Sequence, residues 1–425
     1  MKTVGIIAEF NPFHNGHKYL IEKAKEITGA DTAVIIMSGD FVQRGAPAVC
    51  DKFLRTSMAL YSGADIVFEL PTVYALGSAE TFADGAVRLL SSTLNIDFIC
   101  FGSECGNIDT LYEFAVNTED YSNTEEFRQN ISAAVKQGMS YPAAFESVIK
   151  EKINTTDSTL YLPNNLLGIE YCRALYRLKK SGIYTKLPEL ITVKRTGSSY
   201  HDEMLSEYPS ATSVRNALKN NDIGILRNCL PETAYNMLND NIGKSLPIFE
   251  DDFSDMLYMR LNSASDEDIR SIPDIHNDLK NKLINCRGKQ VVISELIAGL
   301  KCKAFTYSAI SRAVFKLLLS PMYANAFQYI SDNTGSTKAY LSADDGITKV
   351  PYIRVLGFKK DSSEFLRTLR NSETCNIITK PADGNMDDPS YLLDIYAANL
   401  YNQVCSNKYK TGFTDELKTG PVIIL

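Results

Sequence analysis

Two histidines three residues apart form the strongest chemical signal in the sequence. His14 and His17 lie in residues 11–17, which read Asn-Pro-Phe-His-Asn-Gly-His and follow an apolar run. If a helix begins near Gly16, its unpaired N–H groups and the two imidazoles converge on one place, which suits a phosphate group. We interpret the pair as a site that stabilises charge developing on an α-phosphate. Capping or packing of an ordinary turn is the competing interpretation, and a metal site is disfavoured because further ligands are missing nearby.

The elements around this segment alternate between short apolar runs and helical patterns. Apolar runs occur at residues 4–10, 32–37, 65–70, 97–101 and 190–194, and helical patterns at 16–27, 51–61, 79–90, 164–180 and 213–219. Such alternation predicts βαβ units, and the apolar strands favour a sheet covered on both faces. We predict an α/β fold with a Rossmann-like parallel sheet over residues 1–225, including a helical excursion at about 109–160. A mainly α-helical C-terminal half follows, as a helical domain at 226–335 and a mixed α and β or helical region at 336–425.

The helical domain is locally basic. Residues 280–316 contain eight basic residues and one acidic residue, together with Phe305, Tyr307 and Phe315. Basic and aromatic residues together can hold an RNA backbone and stack on splayed bases. The segment is therefore predicted to bind RNA, with a solvated helix face as the alternative.

Composition limits the class of protein. The chain has 425 residues and a net charge of −7, which excludes a protein that binds polyanions over its whole surface. Its nine cysteines include no Cys-x-x-Cys pair, so neither a structural zinc site nor a disulfide framework is expected. No run of about 18 apolar residues occurs, so no membrane span is expected. These features are typical of a cytoplasmic protein.

A second group of polar residues follows the second predicted strand. Asp40, Gln43 and Arg44 lie on a glycine-flanked loop that opens on the same sheet edge as the histidine pair. Arg44 is a candidate to bind a carboxylate or an α-phosphate, with a surface salt bridge as the alternative, and Asp40 is a candidate catalytic residue. Lys52 and Arg55, on the next predicted helix, are interpreted as ordinary surface charge.

Six segments together resemble one known family. They are residues 10–17, 37–45, 101–104, 163–168, 210–215 and 352–358. The His-x-Gly-His run alone is similar to the signature of a nucleotidyltransferase superfamily related to class I aminoacyl-tRNA synthetases. The six segments in combination resemble the tRNA(Met) cytidine acetate ligase family, and they are spread over most of the chain.

The resemblance implies a two-step reaction. Members of this family use ATP and acetate to form acetyl-adenylate and pyrophosphate, and they then acetylate N4 of the wobble cytidine in elongator tRNA-Met. The expected ligands are therefore ATP with Mg²⁺ carried on its phosphates, acetate, and this tRNA. The resemblance implies ATP contacts at Ile7, Ala8, Glu9, Phe10, Asn11, Pro12, Phe13, His14, Asn15, Gly16, His17, Lys18, Tyr19 and Leu20, and at Gly102, Asn165 and Arg195.

The residue types at the last three positions agree with those contacts, and each has an ordinary alternative. Gly102 follows the fourth predicted strand, where its backbone can lie against an adenine or ribose or can simply form a turn. Asn165 lies at a predicted helix start and is equally suited to capping it. Arg195 ends the fifth predicted strand, where it can reach a phosphate, stack on a base or remain solvated.

Residues 210–215, which read Ser-Ala-Thr-Ser-Val-Arg, resemble the hydroxyl-rich motif that closes nucleotidyltransferase sites. On this interpretation the hydroxyls, that of Thr212 among them, hold the β- and γ-phosphates at a helix start, and Arg215 neutralises the leaving pyrophosphate. Ala211 stands where many members of the superfamily have a second hydroxyl. An N-capped helix is the alternative.

Two other functions fit parts of the sequence. One is a nucleotidyltransferase that adenylylates a small phosphorylated acceptor, but the roughly 200 residues beyond the α/β pattern favour a macromolecular acceptor. The other is a non-catalytic tRNA-binding protein with a relic nucleotide site. The intact histidine pair and the 212–215 segment argue against a relic.

Overall fold

A mostly parallel β-sheet lies at the centre of the fold, in a computed structural model that describes residues 1–153, 157–182, 184, 186–195, 210–273, 275–334, 352–370 and 376–425. The strands are β1 (Thr3–Ala8), β2 (Thr32–Ser38), β3 (Phe41–Val42), β4 (Ala46–Pro47), β5 (Ile66–Leu70), β6 (Phe98–Ser103), β7 (Glu189–Lys194), β8 (Tyr352–Lys359), β9 (Asn376–Ile378) and β10 (Val422–Ile424). The order in the main sheet is β10-β8-β5-β2-β1-β6-β7, with β9 beside β8, and β3 pairs with β4 separately.

Helices surround the sheet and make up most of the rest of the described chain. Up to residue 219 they are α1 (Asn15–Thr28), α2 (Lys52–Tyr61), α3 (Thr72–Ala75), α4 (Ala79–Arg88), α5 (Ile108–Ser122), α6 (Glu125–Lys136), α7 (Tyr141–Ile153), α8 (Pro163–Lys180) and α9 (Ala211–Lys219). Further on they are α10 (Glu232–Asn241), α11 (Ser254–Ser263), α12 (Asp266–Ser271), α13 (Asn277–Ile284), α14 (Ile293–Leu300), α15 (Tyr307–Leu319), α16 (Met322–Thr334), α17 (Ser363–Arg370) and α18 (Pro389–Tyr409). Helices α5 to α7 correspond to the predicted helical excursion. Among the described residues, no helix combines the length and the apolar character that crossing a membrane requires.

Both faces of the sheet are buried, as the apolar strands predict. Along β2, Val34 and Ile36 pack into one hydrophobic cluster, whereas Ala33, Ile35 and Met37 pack into another on the opposite face. Every residue of β2 and of β5 is buried. The predicted α/β fold of the nucleotidyltransferase type is confirmed, and it brings the carboxyl ends of β1, β2 and β6 to one edge of the sheet.

One strand from the C-terminal region joins this sheet in the opposite direction. Strand β8 pairs antiparallel with β5, and β9 and β10 run parallel to β8. Local periodicity indicates a strand at 352–358 but does not show which distant strand it pairs with. The division into domains at 1–225, 226–335 and 336–425 stays a prediction, and residues 335–351, at its second boundary, lie outside the described residues.

The helical region contacts the sheet edge at a glycine. Gly45, between β3 and β4, has φ +77°, and a Cβ added there would lie 2.3 Å from the backbone nitrogen of Arg312. The hydroxyl of Ser311 donates a hydrogen bond to the carbonyl oxygen of Gly45. Helix α15 therefore packs directly against the loop that carries Gln43 and Arg44.

Candidate active site

The histidine pair forms the start of α1. His14 is the N-cap residue, and its Nδ1 atom accepts a hydrogen bond from the backbone N–H of Gly16 at 3.1 Å. The Nδ1 atom of His17 accepts a hydrogen bond from the backbone N–H of His14 at 3.2 Å. This reciprocal arrangement is a capping box made by two imidazoles. Because Nδ1 is an acceptor in both rings, each neutral ring carries its proton on Nε2.

Both imidazoles are held in the neutral form. Burial, and after it the charges of Arg195 and Arg215, lower the pKa of His14 to about 3. Burial, followed by the effects of His14 and Arg195, also lowers the pKa of His17 well below its ordinary value. The two rings stack with centroids 3.7 Å apart, a separation at which two positive charges would repel strongly. The site therefore presents N–H dipoles, not imidazolium charges, to its ligand.

Aromatic packing fixes the turn that precedes the pair. Phe10 is buried and has φ 48°, in the left-handed region that bulky residues seldom adopt. Its ring packs edge-on against Phe13 and His17, with centroids 4.8 and 4.9 Å away. The Oδ1 atom of Asn11 accepts a hydrogen bond from the backbone N–H of Val49 at 2.9 Å. The surrounding core thus sets the position of the histidines without help from a ligand.

Gly16 leaves room for the first imidazole. A Cβ at this position would lie 3.0 Å from Cε1 and 3.1 Å from Nδ1 of His14. These distances are shorter than ordinary van der Waals contacts, so a side chain at position 16 would push the His14 ring out of place. The His14 imidazole by itself therefore accounts for a glycine at this position.

Two arginines from later in the chain reach the same turn. Arg215, on α9, donates from Nη1 to the carbonyl oxygen of Asn11 at 2.8 Å and from Nη2 to Oγ1 of Thr212 at 3.0 Å. Arg195 follows β7, and its backbone N–H donates to the carbonyl oxygen of Ser103 at 2.9 Å. Burial lowers the pKa of the Arg195 guanidinium, which means that an anion placed beside this charge would be stabilised.

These residues line a cavity of about 550 Å³ at the carboxyl edge of the sheet. Its basic lining comes from Arg44, Lys194, Arg195 and Arg215. Its apolar lining includes Phe82, Phe101, Leu167, Tyr171 and Val193. Apolar walls with a few convergent polar groups, in a volume of about 300–1,000 Å³, are typical of small-molecule sites. We refer to this space as the first cavity.

Most of the residues predicted to contact ATP line the first cavity. They are Ile7, Ala8, Glu9, Phe10, Asn11, His14, Gly16, His17, Tyr19, Leu20, Gly102 and Arg195. The predicted catalytic residues Arg44, Thr212 and Arg215 line it as well. The structure thus brings together residues from five separate segments of the chain, although contact with ATP at each position remains a prediction.

Four residues of the predicted ATP-binding run do not line the first cavity. Pro12 and Phe13 are buried within the turn. The side chain of Asn15 donates to the carbonyl oxygen of Asn228, away from the cavity. Lys18 lies on the exposed side of α1, with its Nζ 3.8 Å from a carboxylate oxygen one helical turn later. A helix turns its side chains through a full circle, so a continuous run cannot face one ligand.

Asn165 does not line the cavity but holds the backbone of the loop that follows β6. Its buried Oδ1 accepts a hydrogen bond from the backbone N–H of Glu104 at 2.9 Å, and its Nδ2 donates to the carbonyl oxygen of Thr159 at 2.7 Å. The adjacent residue Asn164 lines the cavity, and its Nδ2 donates to Oε1 of Glu104 at 2.6 Å. The structure therefore shows Asn165 supporting the loop after β6, and it shows Asn164 in the lining of the cavity.

Asp40 also lies outside the lining of the first cavity. It is buried, and its Oδ1 accepts a hydrogen bond from the backbone N–H of Lys52 at 2.8 Å. Burial raises the pKa of this carboxyl group to about 7, against the opposing charges of Lys52 and Arg55. This placement does not support the predicted catalytic role, because the carboxylate is directed at the start of α2 and not at the cavity.

The interpretation of Lys52 and Arg55 as surface charge is wrong. Lys52 is 1% exposed, and its Nζ lies 2.7 Å from Glu69 and 2.6 Å from Glu416. Arg354, on β8, also pairs with Glu416. The sequence pattern of α2 does not show that carboxylates from β5 and from the end of the chain meet its buried face.

Arg55 braces the sheet edge at which the first cavity opens. Its guanidinium is fully buried and donates hydrogen bonds to the carbonyl oxygens of Glu9 at 2.7 Å, Ser38 at 3.0 Å and Gly39 at 2.5 Å. A further bond from Nε reaches the carbonyl oxygen of Cys50 at 3.0 Å. One side chain therefore satisfies buried carbonyls in the loops that follow β1, β2 and β4.

The basic segment at 280–316 divides into buried and exposed residues. Lys280 and Lys316 are buried, and Phe305 and Phe315 belong to the core. The guanidinium of Arg287 is occupied by backbone carbonyl groups of α11 and of the residue after it. The exposed residues are Lys289, Lys301, Lys303 and Tyr307. The predicted RNA surface is therefore smaller than the sequence suggests.

Several cavity residues carry no functional signal in the sequence. Phe82, Phe101 and Tyr171 have the pattern of ordinary core residues, and only Gly102 next to Phe101 hints at a ligand there. Ser308 reaches the cavity from α15 because that helix packs against Gly45. Such a contact depends on long-range packing, which no local motif records.

A parallel sheet whose first turn carries a His-x-Gly-His capping box beside a cationic cavity defines a nucleotidyltransferase. The model of a family described as HIGH Nucleotidyl Transferase matches residues 1–416. The sheet edge, the paired histidines and the arginines therefore lie within one recognised domain type.

Individual relatives narrow this class. The tRNA(Met) cytidine acetate ligase of Clostridium novyi (strain NT) is 37% identical over 432 residues, with 100% of both chains covered. That of Caldicellulosiruptor saccharolyticus is 35% identical and covers 96% of this chain and 95% of its own. Crystal structures of Thermotoga maritima TmcAL, apo and bound with alpha-thio ATP, are 27% identical over 100% of both chains, with TM-scores of 0.83 and 0.82. The chain belongs to the tRNA(Met) cytidine acetate ligase family.

Proposed function

We propose that the protein uses ATP to activate acetate as acetyl-adenylate and then acetylates N4 of the wobble cytidine of elongator tRNA-Met. Relatives named for the ligation of acetate to cytidine in tRNA(Met) match the whole chain, and a similar structure holds alpha-thio ATP. The observation within the molecule that carries the proposal is the pair of neutral imidazoles at the start of α1, which faces a cavity lined by three arginines.

The α-phosphate of ATP is placed beside His14 and His17. Their Nε2–H groups donate to phosphate oxygens that gain charge as the α-phosphorus is attacked, and the positive end of the α1 dipole lies at the same place. Arg195 and Arg215 supply the positive charge that balances the triphosphate. The Thr212 hydroxyl, at the start of α9, is placed for the outer phosphates.

The adenosine part of ATP fits the apolar lining of the first cavity. Phe101 and Leu167 supply apolar surface near the end of β6. Gly102 has no side chain, so the base or ribose can approach its backbone beside Arg195. The amide of Asn164 provides a polar group at the same wall.

Acetate attacks the α-phosphorus in line. A carboxylate oxygen forms the new P–O bond, the bond to the bridging oxygen of the β-phosphate breaks, and pyrophosphate leaves with the electron pair. Arg44, on the loop between β3 and β4, is the candidate to hold the acetate carboxylate. The cytidine amine then attacks the acetyl carbonyl and AMP leaves. Positioning and charge stabilisation account for the first step without a covalent enzyme intermediate.

Magnesium enters as part of the ATP substrate. Among the described residues, no group of three or more His, Cys, Asp or Glu side chains is arranged to hold a metal ion. The lining of the first cavity is cationic, and guanidinium groups do not coordinate metals. This lining fits a Mg²⁺ ion that is coordinated by phosphate and water oxygens, the ligands that Mg²⁺ prefers, and not by protein side chains.

The tRNA approaches from the side of the helical region. Lys289, Lys301 and Lys303 are exposed there and can contact phosphates along an RNA backbone. The reaction is placed in the cytoplasm, where tRNA and ATP are both present.

ATP–pyrophosphate exchange with the purified protein, with and without acetate, tests the first step, and labelled acetate with total tRNA tests the second. We expect exchange that depends on acetate, and label in tRNA. Exchange that requires a small phosphorylated acceptor would replace this proposal with a different nucleotidyltransferase, and no exchange under any condition would indicate a relic site.

A further inference from the structure

We propose that a second cavity beside the ATP site binds the acceptor cytidine nucleotide of the RNA, and that Glu9 accepts the proton released from its N4 amine. The inference rests on the proposed acetate ligase function, and it assigns the place and the proton acceptor of the second step.

The second cavity has a volume of about 580 Å³ and opens between the β3–β4 loop and the helical region. Part of its lining comes from the first half of α15 and the residue before it, namely Thr306, Tyr307 and Arg312. Lys219 and Phe249, from earlier in the chain, also line it. None of these five residues lines the first cavity. The second cavity therefore extends beyond the first, and its volume suits a small ligand or a single nucleotide.

Its chemistry suits an unstacked base on a phosphate backbone. Tyr307 is 44% exposed, so its ring is available to stack on a base. The Nζ atom of Lys219 lies 5.9 Å from the centroid of the Phe249 ring, and Arg312 adds a second cation. Single-stranded RNA is bound by aromatic rings that stack on splayed bases and by cations that contact the phosphates. An RNA nucleotide fits this combination of groups better than acetate, which offers no ring to stack.

The two cavities share a wall. Glu9, Gln43, Arg44, Thr212 and Arg215 line both. The acetyl group is made at the α-phosphate in the first cavity, and the amine must approach a face of the acetyl carbonyl that the bound AMP does not cover. A nucleotide in the second cavity meets this requirement across the shared wall.

Glu9 is the carboxylate in that wall. Its Oε1 accepts a hydrogen bond from the backbone N–H of Gln43 at 2.8 Å, and Arg55 donates to its carbonyl oxygen at 2.7 Å, so the residue is held at both ends. The N4 lone pair of cytosine is delocalised into the ring, so attack is faster when a base removes a proton. The N–C bond forms, the C–O bond to the phosphate breaks, AMP leaves with the electron pair, and the proton passes to Glu9.

The test uses the full chain with ATP, labelled acetate and an unmodified tRNA-Met transcript. Acetate-dependent ATP–pyrophosphate exchange reports the first step, and single-turnover transfer of label from preformed acetyl-adenylate reports the second. We expect Tyr307→Ala to lower transfer about tenfold relative to exchange, and Tyr307→Phe, which keeps the ring, to restore it. We expect Glu9→Gln, whose amide oxygen can still accept from Gln43, to lower transfer by about 100-fold relative to exchange. Tyr61→Ala is the matched control, since Tyr61 is 55% exposed and lines neither cavity.

The outcomes separate the two proposals. A wild-type protein without acetate-dependent exchange contradicts the proposed function itself. If the wild type performs both steps and Tyr307→Ala keeps the wild-type ratio of transfer to exchange, the acceptor cavity is overturned. A raised KM for acetate in the exchange assay of Tyr307→Ala overturns it too, because the second cavity would then belong to acetate. If Glu9→Gln does not fold, the two Tyr307 variants still decide the location of the cytidine.

Discussion

Arg215 donates a hydrogen bond from Nη1 to the carbonyl oxygen of Asn11 at 2.8 Å, across 204 residues of sequence. The bond joins the start of α9 to the turn that carries His14. The same guanidinium donates to Thr212, so one residue ties together the two segments proposed to bind different phosphates of ATP. A change in either segment is therefore expected to alter the other, because hydrogen bonds in such a network reinforce one another.

Gly16→Ala should damage the first step without unfolding the protein. The added Cβ would lie 3.0 Å from the His14 ring, which must then rotate and lose its bond to the backbone N–H at position 16. We expect ATP–pyrophosphate exchange to fall by roughly 100-fold, as small misplacements of catalytic groups do. Gly299→Ala, on α14 with nothing within 4 Å of the new Cβ, is the control and should exchange like wild type. Equal rates for the two variants would show that the ring does not need its present position.

The neutral histidines should make the fold less stable in acid. The pKa of His14 is about 3 in the folded protein and 6.5 ordinarily, so between these values the unfolded chain binds a proton that the folded chain does not. The stabilisation is fully present above pH 6.5 and is lost as the pH falls toward 3, by about 1.4 kcal/mol per pH unit for this residue. The free energy of unfolding can be measured with urea at several pH values for wild type and for His14→Asn, which keeps a capping side chain. Plotted against pH, the two free energies should differ in slope by that amount. Parallel stability curves would contradict the buried neutral ring.

The same neutrality predicts how exchange depends on pH. Burial lowers the pKa of His17 and of His14 below the working range, so neither ring loses a proton between pH 6.5 and 8. We expect no fall in the exchange rate over this interval, measured with saturating ATP and acetate. A rate that falls as the pH rises through 6.5, and no longer does so in His17→Asn, would mean that an imidazolium takes part.

Arg55→Lys should destabilise the protein even though the charge is kept. A lysine cannot reach the carbonyl oxygens of Glu9, Ser38 and Gly39 together, so buried acceptors are left without donors. We expect a loss of about 3 kcal/mol or more in the free energy of unfolding, measured with urea. Arg128→Lys, at a side chain that is 61% exposed, should change it by less than about 0.5 kcal/mol. A loss below about 1 kcal/mol at Arg55 would show that its bonds do not brace the edge.

Reversal of charge on the exposed part of the basic segment should weaken RNA binding. Lys301→Glu with Lys303→Glu is expected to reduce tRNA affinity and the dependence of that affinity on salt, because fewer counterions are released. ATP affinity should stay the same, since neither residue lines the first or the second cavity. Lys136→Glu with Lys179→Glu, two exposed lysines of the helical excursion and of α8, carries the same change in charge as a control. Unchanged tRNA affinity at several salt concentrations would remove this segment from the RNA surface.

The parts of the site that were predicted from sequence depend on local chemistry. A strand, a turn and a helix start are specified by neighbouring residues, so the placement of His14 and Gly16 at the opening of α1 follows from spacing alone. The helix beginning at Ala211 is predictable for the same reason, because Ser210 is an N-cap whose side chain accepts from the Ser213 N–H. The expectation for Arg44 needed only the rule that parallel strands end at a common edge, whereas the expectation for Arg215 came from the resemblance of residues 210–215 to a nucleotidyltransferase motif.

The parts that were missed depend on contacts between distant segments. Lys52 and Arg55 occupy positions that suit a solvated helix face, and only Glu69, Glu416 and the loop carbonyls show why they are buried. The choice between Asn164 and Asn165 is a rotation of about 100° around a helix axis, which no motif specifies. The sequence predicts one continuous basic surface at 280–316 because it does not show that the side chain of Lys316 is buried.

A ribosome that makes this chain completes β5 long before it makes β8, the strand that pairs with it. Until residues 352–359 emerge, β5 offers a row of unpaired N–H and C=O groups to neighbouring nascent chains. Helices that pack on the faces of the sheet do not cover the unpaired edge of β5. Interrupted translation should therefore yield aggregates instead of a working N-terminal enzyme, and chaperone binding to the nascent protein should end only when the last strands have been added.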